Sequence, residues 1–363
     1  MDCRREIVGF SFAFVLGSAA GTLLSAHASL LARTLILSTL CLLSCTLALT
    51  LLVCGRTFRW QIPLLMLLLG SLCSLGGGLR EAVLPEVWRP DFTEEWAEKL
   101  KRLTESLPMR HPESSALMKA LICGDRSSLS GSTLDAFRAA GASHILALSG
   151  MHLGIIYMLL RRPLAQAGGS GPARVLRYVT VTGAAGLFTA VTRAGASLDR
   201  AFLFILIAES GKLMPERRSS LPHTYAAALT IQLTLKPSVL TDVGFQLSYL
   251  AMAGIVFLLP RMREWYPQSG LRPSLTARLW NTLALSLSCQ LFTAPAAWYY
   301  FHSFPAYFLL TNLLAMPLTT AAMSTAVVCL GLSAAGICPG ILVHLLDHLF
   351  QALLFTVSTI GSL

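Results

Sequence analysis

Charge is what this sequence has least of. Only 13% of its residues are Asp, Glu, Lys or Arg while 54% are hydrophobic, whereas a soluble domain spends about a quarter of its residues on charge. That scarcity excludes water as the main solvent. Three motif absences narrow the chemistry. The nine cysteines include no C-x-x-C pair, so zinc binding and dithiol redox chemistry have no local signature, and most of these thiols read as small core hydrophobes. No G-x-x-x-x-G-K-[ST] loop is present to hold a nucleotide phosphate, and no H-x-H-x-D-H run is present to hold metal. Neither a cofactor nor a metal is expected.

What the sequence has in abundance is apolar runs of membrane-spanning size. A hydrocarbon core of ~30 Å takes about 20 helical residues at ~1.5 Å each. Candidate spans cover 7–24, 35–53, 62–79, 142–160, 175–192, 201–211, 221–235, 243–259, 280–300, 306–331 and 341–361. Two of these, 201–211 and 221–235, fall short of that length and must be broken or packed inside a bundle, where such segments usually line something. Pro317 either kinks one long span or divides it into two half-spans. The expectation is an all-α polytopic membrane protein of about eleven transmembrane or partly spanning helices with an outer amphipathic-helix insert. Its predicted parts are a three-span segment over 1–79, the insert over 80–141 and a second membrane domain over 142–363.

Arg4, Arg5, the following apolar stretch and Ala26-His27-Ala28 imitate a secretory signal with its cleavage site. The stretch over 7–24 exceeds the usual ~7 to 15 residues of such a signal, and a second apolar run follows at once. An uncleaved first span is expected.

The net charge of +10 suggests a polyanionic partner, but topology explains it as well. Arg4, Arg5, Arg56, Arg59, Arg161, Arg162, Arg174, Arg177, Lys212, Arg217, Arg218, Arg261, Arg263, Arg272 and Arg278 all fall on one side of the alternating spans. Basic loops mark the cytoplasm, which places the N-terminus inside. The opposite short loops carry only Arg33, Arg193, Arg200 and Lys236.

The insert nearly cancels its own charge, with nine basic and ten acidic side chains. Trp96, Leu100, Leu103 and Leu107 repeat at helical spacing and predict an amphipathic helix ended by Pro108. A second helix holding Leu117 and Leu121 stops at Gly124. A third starts near Ser132, capped by its hydroxyl, and stops at Gly141. Such helices lie on the outer leaflet or cap a pore mouth.

Four segments carry polar groups where they are costly. GDRSSLSGSTLDAFRAAGASHILALSGMHLGIIYMLL, from Gly124, takes His144, Ser149 and His152 into a span, and polar groups there face a cavity or a bundle interface. The competing reading is helix packing through Gly150 and Gly154. TRAGASLDRAF sets Arg193 and Arg200 around a Gly- and Ala-rich break, where guanidinium groups can grip phosphates, or where Asp199 simply pairs with an arginine. Asp242 and Gln246 open a further span, and a helix cap is the commoner role for an acid at such a start. Asn312 and Pro317 break the last long apolar run. The aromatic cluster from Trp298 to Tyr307 reads as an interfacial belt, and His344, Asp347 and His348 read as a polar helix start more than as half a metal site.

Taken in order, these segments resemble the membrane channel domain of the ComEC-type competence proteins over roughly residues 96–330. The Ser-His and Gly-Phe-Gln-Leu-Ser stretches are the most specific parts of the match. The resemblance implies a channel domain over 142–363 that carries single-stranded DNA across the bacterial cytoplasmic membrane during DNA uptake and transformation. His144, Ser149, His152, Arg193, Arg200, Asp242, Gln246 and Asn312 are its candidate path residues. It also implies contact with membrane lipids, an extracytoplasmic DNA receptor and a cytoplasmic ATPase motor. Lys236 departs from the family pattern, which has an acidic residue before the proline. The family's outer OB-like domain and terminal β-lactamase-like domain have no counterpart in this sequence, so nuclease activity is expected from a separate chain if at all. Three other readings stay open: a transporter of a small or lipid-linked solute, a membrane scaffold, and an intramembrane serine hydrolase using Ser149 with a histidine base.

Overall fold

The computed structural model describes residues 2–27, 30–54, 61–83, 92–166, 171–192, 196–213, 220–265, 275–302 and 307–363. They form helices, with no strand among the described residues: α1 (Asp2–His27), α2 (Leu30–Cys54), α3 (Gln61–Val83), α4 (Phe92–Glu105), α5 (Pro112–Cys123), α6 (Gly131–Ala139), α7 (Ser143–Leu146), α8 (Gly150–Gln166), α9 (Gly171–Thr192), α10 (Ala196–Leu213), α11 (Leu221–Leu235), α12 (Val243–Ala253), α13 (Leu259–Glu264), α14 (Leu275–Phe301), α15 (Phe308–Ala334) and α16 (Gly340–Gly361). A 3-10 turn, Pro237–Thr241, precedes α12, and a π-helical turn, Gly254–Leu258, joins α12 to α13. The all-α architecture is the one expected. Four stretches among the described residues are long and apolar enough to cross a membrane: Gly171–Thr192, Val243–Glu264, Phe308–Ala334 and Gly340–Gly361. Shorter apolar stretches occur at Gly9–Leu24, Leu35–Leu47 and Gln61–Gly77.

The chain divides into two compact units, one of residues 1–88 and 215–249, the other of 89–214 and 250–363. In the first, α1 and α3 are pressed together along a seam of small residues. A Cβ at Gly17 would overlap the Leu67 carbonyl, and one at Gly70 would overlap the Phe14 carbonyl. The Ser71 hydroxyl crosses the seam and donates to the Gly17 carbonyl at 2.9 Å. Lipid tails are as apolar as leucine, so close backbone approach and interhelical hydrogen bonds, not hydrophobic burial, hold such helices. The α11 helix packs on both α1 and α3.

In the second unit one apolar core is shared by α5, α15 and α16, where Leu117, Met118, Leu121, Met323, Leu346 and Phe350 are fully buried. The two helices that open the insert therefore differ in kind. Lys99, Glu95 and Trp96 of α4 are exposed, whereas α5 is a core helix. Two ion pairs brace α4 against α5 and the loop after it, Lys101 with Asp125 at 2.9 Å and Lys119 with Glu105 at 2.7 Å. The Ser127 hydroxyl and the Lys101 ammonium hold the Asp125 carboxyl well below the usual carboxylate range. Gly124 ends α5 with φ 77°, as the sequence predicts. The cap of α6 is two residues earlier than expected. Ser130, not Ser132, accepts the Thr133 N–H at 3.2 Å, because a capping oxygen reaches the N–H three residues on.

Two prolines are absorbed differently. Pro317 lies inside the unbroken α15, so 308–331 of the span predicted over 306–331 belongs to one long helix and not two halves. Pro260 has no N–H for the Val256 carbonyl and its ring crowds that oxygen. The preceding turn widens, and the Leu259 N–H reaches back to Gly254.

Candidate functional site

The predicted span over 142–160 is broken in the structure, and the break organises the polar residues. Gly141 ends α6 with φ 71°, after which the chain makes the single turn α7, straightens at Ala147 and restarts as α8. A broken helix leaves backbone groups without intrahelical partners, and each side of the break is served from elsewhere. Arg126 Nε donates to the Leu146 carbonyl at 3.1 Å. The first turn of α15 holds the other side, with Thr311 donating to the buried Ala140 carbonyl at 2.6 Å. His144 Nδ1 donates to the Gly141 carbonyl at 3.1 Å. The Asn312 side chain, brought from α15, lies beside the same ring, and its Oδ1 is buried without a hydrogen-bond partner among the described residues.

Ser149 is the N-cap of α8 and His152 its third residue. The serine hydroxyl accepts from the Met151 N–H at 3.3 Å, and His152 Nδ1 accepts from the Ser149 N–H at 3.1 Å. This is a capping box with histidine in place of the usual Glu or Gln. An accepting Nδ1 puts the ring proton of the neutral imidazole on Nε2. That nitrogen is buried and has no partner among the described residues. The Ser149 hydroxyl also lies 3.1 Å from His152 Nδ1, the contact the hydrolase reading needs, and it shares that nitrogen with the backbone N–H.

Arg200 comes to the same place from α10. It is 7% exposed, its Nη2 lies 3.4 Å from Ser197 Oγ, and it stands 3.9 Å from where a Cβ on Gly150 would sit. A guanidinium beside the first residue of α8 adds to the partial positive charge of the helix N-terminus. Ser149, His152 and Arg200 therefore meet where α8 begins, and the combination favours an anion.

The other candidates separate from this group. Asp242 Oδ1 accepts from the Phe245 N–H at 2.7 Å and caps α12, the commoner reading of an acid there. Gln246 Nε2 donates to the Leu240 carbonyl at 2.9 Å. Both tie the 3-10 turn to α12. Arg193 lies outside the described residues, as do Arg217 and Arg218.

One residue escaped the sequence reading. Glu209 is 2% exposed and draws in three side chains: the Tyr157 hydroxyl donates to it at 2.6 Å, Arg161 pairs at 3.2 Å, and Lys212 also pairs. Its signal was available, since Glu209 is the one acid in the apolar run 201–211. Two of the basic residues used to assign the cytoplasmic side are therefore bound to a buried carboxylate at the α8–α10 contact.

Residues 121–363 match the profile of the Competence protein family. Over 214 residues the chain is 26% identical to ComE operon protein 3 of Bacillus subtilis (strain 168), covering 58% of this chain and 25% of that protein. It is 27% identical over 214 residues to Competence protein ComA of Neisseria gonorrhoeae, covering 57% of this chain and 29% of that one. The chain thus spans less than a third of the length of either relative. No solved structure matches it. The family match begins inside α5, runs through the broken α7–α8 segment and on to the end of α16, and takes in well over half of the sequence, so this helical membrane chain belongs to the competence protein family.

Proposed function

We propose that the chain is a non-enzymatic conduit in the bacterial cytoplasmic membrane that passes single-stranded DNA inward during transformation. The observation that carries this reading is the buried Arg200 guanidinium at the start of α8, beside the Ser149–His152 box. A cation added to a helix N-terminus suits a phosphate passing by. One such contact binds weakly, as transport requires, because a site that grips several phosphates at once stalls what it carries. Membership of the competence family supports DNA as the cargo.

Each phosphate that enters a negative-inside cell works against ~2.3 kcal/mol per 100 mV. The sequence has no nucleotide-binding loop, so a separate cytoplasmic ATPase or a proton-coupled step pulls the strand. An outer receptor delivers it, and a separate nuclease chain removes its complement. The N-terminus is cytoplasmic, with 80–141 on the outer side and 142–363 as the channel domain.

The test is the entry of fluorescent DNA into the cytoplasm of cells that carry the wild-type chain, none, or Arg200→Ala at equal membrane abundance. Outer binding retained with entry lost in both altered strains supports the conduit. Unchanged entry without the chain overturns it and leaves solute transport or a scaffold. Unchanged entry with Arg200→Ala alone removes the phosphate role.

A further inference from the structure

A second polar site lies where the tip of the α4–α5 hairpin meets α16. Asp347, on α16, is 2% exposed. Its Oδ2 is 2.7 Å from Nδ1 of His111, the residue that precedes α5, while its Oδ1 is buried without a hydrogen-bond partner among the described residues. One step away, Arg110 Nη2 donates to His344 Nε2 at 3.4 Å. A carboxylate with a bare buried oxygen is costly unless a cation or a proton compensates it.

The groups on every element packed against α16 can be accounted for. On α5, Glu113 accepts from Thr133 at 3.0 Å, Lys119 is paired with Glu105, and Cys123 is a free thiol beside Thr104. On α6, Asp135 and Arg138 pair with each other at 3.1 Å. The titratable side chain of α15, Cys329, is a buried free thiol whose neighbour is the free thiol of Cys338. On α16 itself His344 is held by Arg110, and His348 is exposed. His111 is therefore the group that compensates Asp347, and it is within reach of water, with its side chain 45% exposed.

We propose that Asp347 and His111 form a proton-binding site whose occupancy latches the α4–α5 hairpin onto α16. With one proton on the imidazole the pair is neutral overall and the hairpin is held. Loss of that proton leaves a buried carboxylate uncompensated. A further proton on Asp347 removes the ion pair and leaves the imidazolium alone. The latch is therefore tightest at intermediate pH and loosens on both sides. The site stands on the contact of α5 with α16 and does not depend on what the chain transports.

The test uses the full chain in lipid nanodiscs. Hydrogen–deuterium exchange over 112–123, normalised to an unstructured peptide of the same sequence, is followed from about pH 5 to 9. Wild-type protection is expected to fall about tenfold or more at the alkaline end, as befits loss of a hydrogen bond to a charged group. Asp347→Asn is expected to flatten the profile, because a neutral amide needs no proton. His111→Gln, at a half-exposed position that tolerates change, is expected to leave protection that rises only toward acid. A wild-type profile that is flat overturns the proposal. So does a wild-type-shaped profile in His111→Gln, which keeps the test open if Asp347→Asn fails to fold.

Discussion

His152 Nδ1 accepts the backbone N–H of Ser149 at 3.1 Å, while the hydroxyl of Ser149 accepts the N–H of Met151. The two side chains close each other's helix start, and this decides what they can do chemically. The same Nδ1 lies 3.1 Å from the Ser149 hydroxyl, so the pair combines a helix cap with a direct serine–histidine contact.

Ser149→Ala should therefore cost about 1 kcal/mol of stability, the typical loss of an N-cap. His152→Gln should cost far less than His152→Ala, because Gln at this position accepts the same N–H. Thermal unfolding in detergent measures both. Equal losses for Gln and Ala would sink the capping reading, and labelling of Ser149 by a fluorophosphonate would favour the hydrolase over the conduit.

At the α1–α3 seam, Gly17→Ala should separate the two helices, since its methyl would stand on the Leu67 carbonyl. Overpacking of this kind costs about 1–3 kcal/mol. A partial rescue by shortening the facing chain is not expected, because the obstacle is backbone. Disulfide trapping between α1 and α3 in membranes reads the separation, and trapping as efficient as in wild type would contradict it.

Glu209 braces α8 against α10 through Tyr157, Arg161 and Lys212. Glu209→Ala should lower stability by about 1.5–3 kcal/mol, the range for a hydrogen bond to a charged group. Tyr157→Phe should cost less than Glu209→Ala, because the carboxylate keeps both cations. Unfolding midpoints of the two variants test the order, and the reverse order would show that the hydroxyl and not the carboxylate organises the cluster.

The pH dependence of the hairpin base follows from Asp125. Ser127 and Lys101 depress its folded-state pKa, so its contribution is complete above the ordinary unfolded value of about 3.9 and is lost as pH falls through the lower folded one. Stability from this source should be flat from neutral pH down to about 5 and decline only in stronger acid. Asp125→Asn should lower the plateau and flatten that acid limb. Parallel limbs in wild type and variant, from melting curves against pH, would refute the assignment.

Much of the local structure was readable before any fold was known. Composition determined that the chain lives in lipid, because so few charges cannot keep this much apolar surface in water. Single residues determined where helices stop, as Gly124 and Gly141 do, because only a residue without Cβ adopts their positive φ cheaply. The S-x-x-H spacing of Ser149 and His152 already held the geometry of a cap. A short span predicted over 201–211 is in fact α10, Ala196–Leu213, because hydropathy does not count the polar residues that extend a helix.

Only the tertiary structure decided which polar groups meet. Thr311 reaches the Ala140 carbonyl across 171 residues of chain, and His111 reaches Asp347 across 236. The reason is physical: apolar periodicity says which face of a helix is buried, but a hydrogen bond depends on distances of a few tenths of an ångström between atoms that no local pattern relates. Sequence thus determined that this is a helical membrane protein of the competence family, and packing alone decided that Asn312 lies beside His144, that Arg200 lies against Gly150, and that α5 is core and α4 is not.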